Sequence, residues 1–364
     1  MNYSERETDI IVADSFKKLT YRQKKLLLAS TNVNNPEREN FAVELIKTAG
    51  EGVYNKVRAQ FKDADYRAKV LRGLLEAGVT CVTVKSDNYP PLLVNTPIPP
   101  LVLYTKGNLD LLATRAVAVV GSRKISAAVS EECKKICGQL ARRLTIVSGI
   151  ADGGDSSALK GGLATGRVIS VLPFGHGAGF NCNRGLLKEV EKDGLSISEF
   201  PPKTRAQRHT FVLRNRIIAG MTEATLVVSA GRDSGALSTA RFAVDYSRDL
   251  FAFPYSIGSE QGAGCNDLIK HGALLCDCAE DILSSYGFTD NESAVTPNGI
   301  ADDDLDDKER AIMNLLRAEG ELHTEMIAEK LSLPLTDVIT ACSMLEIKGY
   351  LVRSGGNTFT AINQ

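Results

Sequence analysis

Between residues 116 and 253 the sequence alternates short continuous apolar runs with amphipathic stretches, and this beat constrains the fold more than any other feature. The runs lie at 116–120, 144–147, 168–172, 195–197, 225–228 and 250–253. Stretches with helical recurrence, such as 130–143 and 238–247, separate most of them. A strand that is apolar at consecutive positions is buried on both faces. Alternating with helices, it belongs to a parallel sheet covered on both sides. The fold expected is α/β: a Rossmann-like, doubly wound, mostly parallel sheet.

Ligands of such sheets gather beyond the carboxyl ends of the strands. The first run leads into Gly121, Ser122 and Arg123, and the second into Ser148 and Gly149 at the head of 148–155. The third leads into Phe174, Gly175 and His176, and the fifth into a loop with Arg232, Ser234 and Gly235. Glycine and serine expose backbone N–H groups and arginine adds a planar cation, the components of an anion cradle. From Pro201 to Thr222 there is no Asp or Glu, whereas Lys203, Arg205, Arg208, Arg214 and Arg216 all fall there. A phosphate-bearing ligand is expected. No G-x-G-x-x-G follows the first strand, no G-x-x-x-x-G-K-[ST] occurs, and four histidines leave little room for a Ser-His-Asp arrangement. A dinucleotide enzyme or an ATPase is therefore not expected.

The flanks differ in texture. Residues 1–85 recur apolar positions at helical spacing and read as a helical accessory domain, its lysines and arginines a solvated face. Five of the twelve prolines crowd into 90–100, so this segment is expected to be extended. The sheet domain spans 86–286, and an acidic linker with Asp302, Asp303 and Asp304 occupies 287–305. Residues 306–364 read helix, helix, helix, hairpin, the pattern of a winged helix. Its third helix carries Asp337 and Glu346 against one Lys348, which favours protein contact over groove reading. Net charge is −1, so any nucleic-acid binding must use a local patch. Eight cysteines without framework spacing, and no apolar run near the ~18 residues of a membrane span, lead to the expectation of a reduced cytoplasmic protein.

Residues 89–283 resemble the DprA/Smf (DNA processing protein A) family. The resemblance is carried by YPPLL, PPLVLYTKGN, GSR at 121–123, SGIA with a following GD, SEFPP at 198–202, RNRIIAG at 214–220, SGAL, FAFP and G-x-N-x-LI. It implies a non-enzymatic binder of single-stranded DNA that loads a RecA-type recombinase in natural transformation, a homodimer formed through the sheet domain, and no cofactor. By position it implies Arg123 as a phosphate contact, with Gly121, Ser122, Ser148, Gly149, Ser234 and Gly235 as donors. The motif also places Arg214, Asn215 and Arg216 at the site; one arginine faces the groove and the other braces the loops against Asp155 or Glu199, in an order the motif leaves open. Lys203 extends the basic track, and Phe174, His176 and Phe180 serve either as stacking platforms or as loop packing. The chain departs from the family pattern at Asp152, Gly154, Leu159, Ser229 and Tyr255, and a carboxylate at 152 lowers the anion potential of the second loop. The rival reading is a nucleotide sensor or a nucleoside-phosphate hydrolase on the same cradle.

Overall fold

The computed structural model describes residues 3–30, 38–178, 183–288, 306–347, 350–355 and 357–361. The chain divides into two compact units, Met1–Phe288 and Thr289–Gln364.

Nine strands of the first unit form one sheet: β1 (Thr80–Thr83), β2 (Val102–Gly107), β3 (Ala116–Gly121), β4 (Thr145–Ser148), β5 (Val168–Val171), β6 (Leu195–Ser198), β7 (Ala224–Ser229), β8 (Asp249–Ala252) and β9 (Leu274–Leu275). Their spatial order is β1-β2-β6-β5-β4-β3-β7-β8-β9. From β6 to β9 every pairing is parallel, whereas β2 runs antiparallel to β6 and β1 antiparallel to β2. Each of the six apolar runs is thus a strand.

The helices of this unit are α1 (Glu5–Ser15), α2 (Tyr21–Ala29), α3 (Arg38–Ala49), α4 (Glu51–Lys62), α5 (Ala64–Glu76), α6 (Pro91–Val94), α7 (Ala127–Leu140), α8 (Gly154–Leu163), α9 (Arg184–Asp193), α10 (Arg208–Gly220), α11 (Ala236–Asp245), α12 (Ala263–Lys270) and α13 (Ala279–Ser285). Alternate residues of β3 feed opposite cores. Val117 and Val119 pack with α7, α8, α9 and α13, while Ala118 and Val120 pack with α6, α10, α11 and α12. That two-sided burial is why the strands read as unbroken apolar runs. The proline-rich segment departs from its extended expectation: it contains α6, with Pro91 at a first-turn position where the missing N–H costs nothing.

The five N-terminal helices end at Glu76, and β1 already belongs to the sheet. Ile10, Ile11 and Leu74 share a core with Cys81, Val102 and Tyr104, so α1 and α5 are seated on β1 and β2. The Tyr104 hydroxyl donates to Asp14 at 2.7 Å, and Lys24 pairs with the same carboxylate at 2.9 Å.

The second unit contains α14 (Asp307–Glu319), β10 (Leu322–His323), α15 (Thr324–Leu331), α16 (Leu335–Ile347), β11 (Leu351–Gly355) and β12 (Thr358–Ala361), with β12 central in an antiparallel sheet. Ile312, Leu316, Ile327, Val338, Leu345 and Phe359 form its core, giving the expected winged helix. The acidic run 302–304 lies outside the described residues.

Tyr286, just past α13, locks the sheet from below. Its hydroxyl donates to the Ala116 carbonyl at 2.7 Å and accepts from the Ala224 N–H at 3.0 Å, joining the starts of β3 and β7. Tyr286→Phe leaves a buried N–H without that partner, and urea unfolding of the first unit should show a loss of about 1–3 kcal/mol.

Candidate nucleic-acid interface

Strands β4, β5 and β6 lie on one side of β3, and β7, β8 and β9 on the other, so the strand order reverses between β3 and β7. A crevice opens beyond the carboxyl ends of two strands at such a switch point. Here it is a cleft of about 550 Å³ lined by the Gly121–Arg123 turn, Phe211 and Asn215 of α10, and Gly231, Ser234 and Gly235 of the loop after β7.

Close backbone approach builds it. The Cα of Gly154 lies against Gly121, and a Cβ on Gly121 would meet a Val228 methyl at 2.8 Å and that Cα at 3.0 Å. The Gly154 N–H donates to the Ser122 carbonyl at 3.0 Å, and the Ser122 N–H donates to Ser229 at 2.8 Å. The Ser122 hydroxyl lies 3.2 Å from the Ser234 hydroxyl, which accepts the Ala236 N–H at 3.3 Å. The turns after β3 and β7 are thereby one hydrogen-bonded rim. Gly235, the N-cap of α11, has no side chain, and the start of that ten-residue helix lines the cleft through Gly235, Ala236 and Thr239, with its positive dipole end there. Arg123 is exposed, its guanidinium 5.4 Å from the centre of the Phe211 ring. Asn215 donates to the Ser238 hydroxyl at 2.8 Å and so anchors α10 to α11.

Both arginines of the RNR motif brace the structure. Arg214 is 4% exposed; it donates to the Val171 carbonyl at 2.9 Å and lies 3.8 Å from Asp155. Burial pushes the Asp155 carboxyl up and the Arg214 guanidinium down, and each is opposed by its partner's charge. Backbone N–H groups of Ala151 and Gly121 also serve Asp155. Gly149 is glycine because a Cβ would run into this ion pair. Ser148 is buried and donates to the Val119 carbonyl at 2.6 Å, so neither Ser148 nor Gly149 meets the cleft. Arg216 pairs with Glu199 and donates to the Ile98 carbonyl at 2.6 Å. Burial pushes the Glu199 carboxyl up to about 7 against the pull of Arg216.

Two further expectations are corrected. Phe174 is 3% exposed in the sheet core and His176 is 2% exposed, its Nε2 3.0 Å from the Tyr104 carbonyl oxygen. Neither offers a stacking face, because the loop folds inward: the Gly175 N–H donates to Thr204 at 2.9 Å, and the Lys203 N–H donates to His176 at 2.9 Å. Phe180 lies outside the described residues. The Lys203, Arg205 and Arg208 side chains are exposed on the strap before α10. Arg232 is exposed but lines a neighbouring depression with Tyr255 and Lys270. Phe211 is the cleft residue that reading the motif missed; its i, i+4 spacing to Asn215 on a helix was the available signal. Departures from the family pattern are absorbed locally. Asp152 is exposed and does not line the cleft, and Leu159 is core. Tyr255 donates to the Val228 carbonyl at 2.7 Å and occupies the space a Cβ on Gly262 would need.

Residues 80–287 match the family model for DNA recombination-mediator protein A, and residues 297–357 match that of the DprA winged helix domain. The first match alone covers more than half of the chain. The chain belongs to the DprA/Smf family. It is 36% identical to the Streptococcus pneumoniae DNA processing protein DprA over 208 residues, covering 57% of this chain and 74% of that one. It is 34% identical to the Escherichia coli protein Smf over 286 residues, covering 76% and 75%. The crystal structure of the S. pneumoniae protein superimposes with a TM-score of 0.68 at 30% identity, over 79% of this chain and all of that one. A Helicobacter pylori DNA processing protein A, described for its single-stranded DNA binding mode, gives 0.52 at 25% identity over 58% and 97%.

The buried pairs make separable predictions. Arg214→Ala strands the Asp155 carboxylate and should cost about 3–5 kcal/mol in urea unfolding, with the Arg214→Ala/Asp155→Ala double variant far less than additive. For Glu199 the folded state holds its proton to higher pH than the unfolded chain does. Its contribution to stability therefore falls as pH rises from about 5 through about 7. The stability of wild type relative to Glu199→Gln should decline over that window in denaturant titrations.

Proposed function

We propose that this DprA-family protein is a non-enzymatic binder of single-stranded DNA whose phosphates lie along the carboxyl edge of the sheet. The observation that carries the reading is the switch-point cleft, where exposed Arg123 and the N-terminal end of α11 share a rim tied together by Ser122 and Ser234. Lys203, Arg205 and Arg208 extend the track on the strap leading into α10. Arg214 and Arg216 act through the backbone they hold, as positioning residues. Asp155 and Arg214 line the cleft together, but the Asp155 carboxylate is buried and engaged by Arg214 and by the Ala151 and Gly121 N–H groups. Asp233, which also lines the cleft, is solvent-exposed, so neither is a desolvated free base. That favours binding over hydrolysis of a nucleoside phosphate.

Family membership supports the biological part of this proposal. The protein passes the strand to a RecA-type recombinase during recombination and natural transformation, acts in the cytoplasm, and works as a homodimer. Leu274 and Leu275 are exposed on β9, the terminal strand of the sheet, and such an edge suits self-association. In the winged helix, Asp337 of α16 pairs with Lys308 at 2.7 Å, which supports a role in protein contact rather than groove reading.

Fluorescence anisotropy with a labelled single strand and a duplex of equal length tests this. Three or four neutralised phosphates give a slope of log K against log salt near about −2 to −3. Arg123→Ala should weaken binding about tenfold and flatten that slope by about 0.7, without moving the unfolding midpoint. Binding that ignores salt, or a preference for duplex, would refute the proposal. Displacement of the oligonucleotide by micromolar nucleoside monophosphates would instead support the nucleotide sensor.

A further inference from the structure

A second, larger cavity of about 890 Å³ lies at the other end of α11 from the cleft. The cleft takes Ala236 and Thr239 from this helix, and the cavity takes Phe242, Asp245 and Tyr246. At a rise of ~1.5 Å per residue the two sets are roughly 10 Å apart along the axis. The α10 helix also serves both, giving Phe211 and Asn215 to the cleft and Leu213 and Arg216 to the cavity. Val212 and Leu213 of this helix are exposed at 50% and 42%.

We propose that this cavity is a nucleobase pocket, receiving one base of a strand whose neighbouring phosphates occupy the cleft. The inference rests on the single-strand reading above and adds a second point of contact to it. Its walls are aromatic and only half-buried: Tyr21 from α2 on one side, and Phe242 with Tyr246 on the other. The latter rings stack on each other at 5.9 Å between centroids and 25° between planes, an aromatic pair in the lining. Stacking on such a wall tolerates any base, because every base has a π-face.

The polar floor is specific to a ring that carries a donor. One Glu199 oxygen holds Arg216, whereas Oε1 is buried with no hydrogen-bond partner. A buried acceptor left unpaired is costly, and a base N–H or exocyclic amino group is the donor that would meet it. A purely aliphatic ligand would fill the cavity but leave that oxygen unpaired. Among the lining residues, Lys24 is committed to Asp14, while Lys17 is exposed and makes no ion pair among the described residues. Lys17 is therefore placed for the phosphate of the inserted nucleotide. Aromatic rings, a buried acceptor and an exposed cation in one lining together match one nucleotide unit.

The test uses the full chain and thymidine oligonucleotides of about 20 nucleotides carrying 5-iododeoxyuridine. Ultraviolet crosslinking followed by mass spectrometry should place adducts on Tyr21, Phe242 or Tyr246. In anisotropy, Tyr246→Ala should weaken the long oligonucleotide about tenfold without changing the salt slope, since stacking releases no counterions. Tyr246→Phe, which keeps the ring, should bind like wild type. An abasic deoxyribose-phosphate oligomer, which supplies phosphates to the cleft but no base to the cavity, should be insensitive to Tyr246→Ala. Circular dichroism melts of each variant separate loss of the ring from loss of the fold. Adducts confined to Phe211 and its neighbours, with Tyr246→Ala binding normally, would overturn the pocket and leave the cleft intact. No binding of any oligonucleotide at low salt would overturn both.

Discussion

A guanidinium removed from water must be met by a carboxylate and by carbonyl oxygens, and Arg214 imposes that requirement on four segments at once. It rises from α10, donates to the end of β5, faces Asp155 at the start of α8, and lies on Gly149 after β4. None of these can move without leaving a buried charge exposed to a low-dielectric interior. Gly121 and Gly154 complete the constraint, since only glycines let α8 reach the end of β3. The cleft is rigid because the charges beneath it are satisfied by one arrangement of the chain.

The same pairing redistributes the electrostatics. Five cations between 201 and 222 look from sequence like one basic patch. Two of them are neutralised inside, by Asp155 and Glu199, so the field reaching solvent comes from Arg123, Lys203, Arg205 and Arg208. With a net charge of −1, attraction for a polyanion must be local and steeply dependent on salt.

Much of this was legible in the residues. Continuous apolar runs require two covered faces, and all six proved to be strands of one sheet. Glycine, serine and arginine at strand ends marked where a ligand would meet the backbone, and Gly121, Ser122, Arg123, Ser234 and Gly235 do meet at one cleft. Even the carboxylates named as partners for the RNR arginines, Asp155 and Glu199, are the ones used. Phe174 and His176 were misplaced for an equally physical reason. A loop aromatic reads the same whether the loop bends outward or inward, and here bonds from Gly175 to Thr204 and from Lys203 back to His176 tie the loop to the strap at 201–204 and turn it inward.

What the sequence determined by itself was periodicity and local chemistry: which runs are strands, which stretches are helices, and which turns can expose N–H groups. These are properties of residues within a few positions of one another. The tertiary structure decided which charges are spent inside and which remain for a ligand. It also brought α2 beside α11 to enclose the aromatic cavity, joining Tyr21 to Tyr246 across more than two hundred residues. Desolvation belongs to the assembled environment, so the same arginine is a contact or a brace according to what is packed around it.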